Sequence, residues 1–103
     1  MRILEDCFAT RVRLTDERIA HILEHPEMKD MESEIERVLR QPRFTRRSKS
    51  DDTVRLFYGF CQETIVGAKW LCVVVKYKEE GAFVVTAYLT DRPKEGENLW
   101  PIQ

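Results

Sequence analysis

Two neighbouring β segments, Leu71–Tyr77 and Phe83–Thr90, constrain this chain more than any other feature, because alternation splits them into two chemically different faces. Odd positions read Leu71, Val73, Val75, Tyr77 and then Phe83, Val85, Ala87, Leu89, an apolar set that belongs in a core. Even positions read Trp70, Cys72, Val74, Lys76 and then Val84, Thr86, Tyr88, Thr90, which puts an ammonium, two hydroxyls and a phenol on one side. Since both faces carry apolar residues, the pair predicts a sheet covered by helices on one face and hollowed on the other. A hollow lined by Lys76, Thr86 and Tyr88 suits a phosphate-bearing ligand better than a sugar or an apolar one. A solvated strand face with scattered polar residues is the plainer reading of the same spacing.

Upstream, the apolar period is helical. Phe8–Leu14 reads as a lead-in strand or extended segment, and Thr15 as an N-cap followed by Asp16 and Glu17, whose carboxylates suit the helix dipole. Ile19, Ile22 and Leu23 give the first helix its stripe, and it ends near His25 because the residue before Pro26 is pushed away from helical ψ. Met31, Ile35, Val38 and Leu39 form the stripe of a second helix, stopped by Gln41-Pro42. A strand near Arg43–Lys49, a turn at Ser50-Asp51-Asp52 and a strand at Thr53–Cys61 follow, then the hairpin with its turn at Glu80-Gly81. The expected fold is α+β, with two N-terminal helices packed on one face of a four-stranded antiparallel sheet. The polar tail from Thr90 to Trp100 is expected to return across that sheet.

At 103 residues the chain has room for one domain, 1–103, and one core. Its 43% hydrophobic and 34% charged residues fit a globular, non-membrane protein, and the acidic start Met1–Asp6 does not read as a secretory signal. Cys7, Cys61 and Cys72 lack CxxC spacing and read as reduced packing thiols of a cytoplasmic protein. The net charge of −1 hides an uneven distribution. Arg37, Arg40, Arg43, Arg46, Arg47 and Lys49 follow one another with no acid between them, a stripe able to hold phosphates or simply to be solvated.

His21-Ile22-Leu23-Glu24-His25 matches the H-x-x-E-H pattern of inverted zinc peptidases, but Pro26 removes the continuous helical face that joint ligation needs. No metal or other cofactor is expected. His25, at a helix end, reads instead as an acid–base group, and His21 as a core-edge histidine. No paired carboxylates suggest glycosidase chemistry, and neither a glycine-rich phosphate loop nor a G-x-S-x-G element is present. The remaining His, Lys, Arg, Thr and Tyr side chains are those needed to cut RNA through its own 2′-hydroxyl. A base takes that proton, cations hold the phosphorane charge, and an acid protonates the leaving 5′-oxygen.

Several stretches together carry a family resemblance: Arg13–Arg18 leading to His21, and His25-Pro26-Glu27-Met28; Glu34-Ile35 with Val38-Leu39 and Pro42; Arg46-Arg47-Ser48; Phe57-Tyr58; Val73–Lys76; and Phe83–Asp91 running to Lys94, Gly96 and Trp100. Over about residues 11–100 the chain resembles the small phage- and bacterium-associated nuclease-like domains grouped with barnase, EndoU, the tRNA-cutting colicins and RelE, the BECR fold. The resemblance implies a metal-independent endoribonuclease, in the manner of the toxin of a toxin–antitoxin or phage-conflict system. It implies His25 as the proton-transfer residue, Lys76 and Arg46 as phosphate cations, and Thr86 with Tyr88 as hydrogen-bonding partners. RNA contacts fall to Arg43, Arg47, Lys49 and Tyr58, and an antitoxin or other inhibitor protein would be a partner. The alternative is a non-catalytic RNA- or protein-binding domain of the same fold, using the basic stripe with Phe44, Phe57 and Tyr58. An exposed Arg43–Lys49 edge could pair with a second copy to give a homodimer.

The histidine pair gives the first test. Metal analysis of the purified protein is expected to find no stoichiometric zinc; about one zinc per chain, lost on His25→Ala, would overturn that.

Overall fold

The computed structural model describes residues 1–102. Seven strands form one sheet: β1 (Arg2–Glu5), β2 (Arg11–Leu14), β3 (Phe44–Arg47), β4 (Val54–Cys61), β5 (Lys69–Lys78), β6 (Gly81–Thr90) and β7 (Asn98–Trp100). Two short helices, α1 (Asp16–Leu23) and α2 (Glu32–Arg40), flank a single 3-10 turn at Pro26–Met28. The sheet order is β1-β2-β6-β5-β4-β3-β7, antiparallel throughout except for the parallel pair β2 and β6.

This corrects the expected two helices on a four-stranded antiparallel sheet. The molecule is mostly β, and its sheet is seven-stranded and mixed. β1 and β7, four and three residues long, are too short to show a period of their own, so only their sheet partners define them. Among the described residues no helix is long and apolar enough to cross a membrane.

Local chemistry sets the helix ends. Thr15 accepts from the Arg18 N–H at 3.1 Å, capping α1 above Asp16 and Glu17. His25 is extended at φ −79°, ψ 117°, as a residue before proline should be, and Pro26 opens the 3-10 turn. α2 buries Ile35, Val38 and Leu39. Its close approach to the sheet depends on Gly59, where an added Cβ would stand 2.5 Å from Val38 Cγ2.

The main core lies between sheet and helices. Leu71, Val73 and Val75 of β5 meet Ile22, Met28, Ile35 and Leu39 there, with Val12 and Leu14 of β2 and Phe57 of β4. A smaller cluster on the other face gathers Leu56, Tyr58 and Cys72, flanked by Phe44, Trp70, Val74 and Tyr88. On β5 the two faces divide at every residue as alternation requires. On β6 they do not. The register passes from Val74↔Thr86 to Val75↔Val84, leaving Val85 as a bulge. Ala87 and Leu89 face the helices beyond the bulge, but before it Ala82 and Val84 do, so the core positions expected for Phe83 and Val85 are corrected.

The expected free edge at Arg43–Lys49 is also corrected. β7 pairs with β3 through Thr45↔Trp100 and Arg46↔Asn98, and the Arg47 N–H donates to the Glu97 carbonyl at 2.9 Å. The segment leading into β7 is strapped to the second face. The Lys94 N–H donates to the Tyr58 hydroxyl at 2.9 Å, and the Arg46 guanidinium donates to the Lys94 carbonyl at 2.8 Å. Gly96 makes this contact possible, because a Cβ there would lie 2.3 Å from the Arg47 carbonyl oxygen. Backbone cannot retreat as a side-chain tip can. Gly96→Ala is therefore expected to destabilise the fold by about 1–3 kcal/mol in urea denaturation, and a loss under about 0.5 kcal/mol would show that the strap is slack.

Candidate functional site

The face opposite the helices is built from cross-strand rows. Arg46, Leu56, Val74 and Thr86 are register neighbours, as are Phe44, Tyr58, Cys72 and Tyr88; Val54, Lys76 and Phe83 form a third row, and Phe60, Trp70 and Thr90 a fourth. Arg46, Lys76, Thr86 and Tyr88 of the expected site therefore share one face. Rings crowd its Trp70 end: Phe44 lies 5.2 Å from both Tyr58 and Trp70, and Trp70 5.2 Å from Phe60. The Arg46 guanidinium sits 4.4 Å from the Phe44 centroid. Beside these rings a cleft of about 360 Å³ opens between Ser48–Ser50 and Lys94–Glu95 over Leu56.

Lys76 is not a free cation. Its ammonium donates to Asp51 Oδ2 at 2.8 Å, while Asp51 Oδ1 accepts from the Thr53 N–H at 2.9 Å and the Thr53 hydroxyl at 2.6 Å. The Lys76 hydrogen bond, followed by those from Thr53, holds the Asp51 carboxyl well below the usual carboxylate range. The phenols shift the other way. Burial, then the neighbouring Cys72, pushes Tyr58 up to about 12 and moves Tyr88 further in the same direction. Burial raises Cys72 to about 11. At neutral pH these three are uncharged, so they offer hydrogen bonds rather than proton exchange.

His25 belongs elsewhere. The Pro26 turn stays in the helical layer, with Met28 inside the helix-side core, so the sheet stands between His25 and Lys76. The His25 side chain is 62% exposed with Nδ1 3.9 Å from Glu27, and His21 Nδ1 lies 3.6 Å from Glu24. Proton transfer by His25 at the Lys76 face has no geometric basis. Among the described residues no three His, Cys, Asp or Glu side chains gather as a metal site.

The basic stripe is divided. Arg47 donates to Glu97 and to the Asp52 carbonyl, both at 3.0 Å, and Lys49 pairs with Glu95 at 3.5 Å. Arg37 is tied to Glu34 on α2. Arg43 is exposed, and among the described residues no carboxylate oxygen lies within 4.0 Å of it. Tyr58 has no exposed surface, so it supports the face from beneath instead of touching a ligand, and Phe57 is fully buried on the helix side. The sequence reading missed Asp51 and Lys94 as parts of this face. It also missed Arg13 and Phe83. The alternation Arg11-Val12-Arg13-Leu14 signals the first of these two, whereas the bulge that turns Phe83 outwards has no signature in the sequence.

Comparison with family models, with curated proteins and with solved structures finds no match for this chain.

The depressed Asp51 carboxyl fixes a sign for pH dependence. Its contribution to stability is complete above the ordinary aspartate value of 3.8 and drains away as pH falls below it toward the folded-state value. The stability difference between the unaltered protein and Asp51→Asn is therefore expected to be largest near neutrality and to shrink from about pH 4 to about pH 2 in urea titrations. A difference that stays constant over that window would remove the Lys76–Asp51 pair as the cause.

Proposed function

We propose that this chain is an RNA-binding module that receives a single strand on the open face of its sheet. The observation that carries this reading is the meeting of Phe44, Phe60, Trp70 and Tyr88 with Arg46 and Thr86 on one face, away from the helices. Aromatic rings on a sheet are platforms for unstacked bases, at about 1–3 kcal/mol per base, and cations beside them hold the backbone. Hydroxyls of Thr86, Thr90 and Ser48 are suited to a 2′-hydroxyl, which favours RNA over DNA.

Cleavage is the second reading, favoured by the grouping of Lys76 and Arg46 with the Thr86 and Tyr88 hydroxyls, a set able to stabilise a phosphorane. Against it stands the absence from this face of a group that exchanges protons near neutrality, since both histidines lie in the helical layer and the phenols are shifted upwards. A toxin role depends on that second reading.

Fluorescence anisotropy with a short unstructured RNA separates the readings. Binding is expected to survive EDTA, to weaken with salt at about 0.7 in log–log slope per phosphate held, and to fall about tenfold on Trp70→Leu. The RNA is expected to remain intact. Appearance of 2′,3′-cyclic phosphate ends, lost on Lys76→Ala and retained on His25→Ala, would put cleavage first. No binding by the unaltered chain would end both readings.

A further inference from the structure

The bulge at Val85 moves Phe83 out of the core and onto the open face, where its register neighbours are Lys76 on β5 and Arg13 on β2. The Lys78 ammonium lies 5.5 Å from the Phe83 centroid, and the Arg13 guanidinium reaches over the start of β6, 3.7 Å from where a Cβ on Gly81 would stand. A cleft of about 340 Å³ opens beside Phe83 and Arg13, and Thr15, Glu17 and Arg18 at the start of α1 form its other wall. The charges here differ from those of the β3 strap. On the strap Arg47 and Lys49 each have a carboxylate partner, and Lys76 beside Phe83 is paired with Asp51, whereas among the described residues no carboxylate oxygen lies within 4.0 Å of Arg13 or Lys78. An aromatic ring flanked by two cations that are in no ion pair is complementary to a base with a phosphate on either side.

We propose that Arg13, Phe83 and Lys78 form a second station for the same RNA strand, in which a base stacks on Phe83 while Arg13 and Lys78 hold the adjoining phosphates. The inference rests on the RNA-binding reading of the open face and extends it. Four residues along β5 separate the Tyr88–Cys72 row from the Phe83–Lys76 row, roughly 13 Å at about 3.3 Å per residue, so one strand can engage both stations. The bulge then has a function as well as a geometry, because without it Phe83 would point at the helices.

The test uses the whole chain, an unstructured RNA oligonucleotide and two readouts. Phe83→Leu, which keeps the apolar contact and removes the aromatic face, is expected to weaken binding about tenfold. Arg13→Gln combined with Lys78→Gln is expected to lower the salt slope by about 1.4, two phosphates' worth for a single strand. Photocrosslinking of 4-thiouridine RNA to the unaltered protein is expected to label the peptide containing Phe83, a readout independent of how the variants fold. If Trp70→Leu weakens binding while the Phe83 and Arg13/Lys78 variants do not, and no crosslink falls near Phe83, the second station is wrong and the first stands. If an acidic peptide of equal charge displaces RNA as well as RNA does, base stacking at Phe83 is overturned. If the unaltered chain binds no RNA, both proposals fail together.

Discussion

β5 is paired along both edges and carries apolar side chains on both faces, and the rest of the molecule is arranged around that requirement. Leu71, Cys72, Val73 and Val75 have no exposed surface, and β4 and β6 run alongside them. Burial of each large apolar side chain stabilises by about 1.5–3 kcal/mol, so helices must cover one face and something else the other. α1 and α2 supply the first cover. The second is assembled from Phe44, Trp70, Tyr88 and the strap through Lys94, which is why this face holds rings and neutral hydroxyls together.

The bulge in β6 follows from how β2 joins the sheet. Parallel pairing ties Val12 to Ala82 and Arg13 to Phe83. Turning Phe83 inwards in this register would turn Arg13 inwards with it, and an unpaired buried guanidinium costs several kcal/mol against the few that a buried phenylalanine contributes. Leaving Val85 out of the ladder is the smaller loss, on the order of 1 kcal/mol for a hydrogen bond. The outcome is a face on which, among the described residues, Arg13 and Lys78 at the β2 end have no carboxylate partner. At the β3 end, Glu95 and Glu97 of the strap take up Lys49 and Arg47. A stripe that reads as a continuous phosphate track in one dimension has Arg37, Arg47 and Lys49 held in internal ion pairs in three.

A similar separation governs the chemistry. Asp6, buried at the β1–β2 connection, accepts from the Phe8 and Thr10 N–H groups and from the Tyr77 hydroxyl. Beside it the Arg55 guanidinium is held between the rings of Phe8 and Tyr77 at 4.5 and 4.4 Å. This network fixes one end of the sheet with charged groups that face the protein itself. The open face is different, since its phenols, raised by burial and by the neighbouring Cys72, keep their protons at neutral pH. Such a surface is fitted to recognition more than to proton transfer.

Elements whose signals are local can be read from the residues alone. Thr15 as a cap, Pro26 and Pro42 as helix limits, the apolar stripes of α1 and α2, and the two faces of β5 all depend on residues within a turn or two of one another. Alternation places Lys76, Thr86 and Tyr88 on one face, because Thr86 and Tyr88 lie beyond the bulge, where the parity is undisturbed. The remaining features come from contacts between distant parts of the chain. Strands of three and four residues exist because a partner edge is there, and Phe83 faces outwards because β2, about seventy residues earlier, carries Arg13 beside it. His25 and Lys76 are separated by the sheet itself, since helix packing takes the Pro26 turn to the side where Met28 is buried. Alternation and caps are properties of neighbouring residues, whereas register, parity after a bulge and the side on which a helix packs are settled by contacts between distant ones.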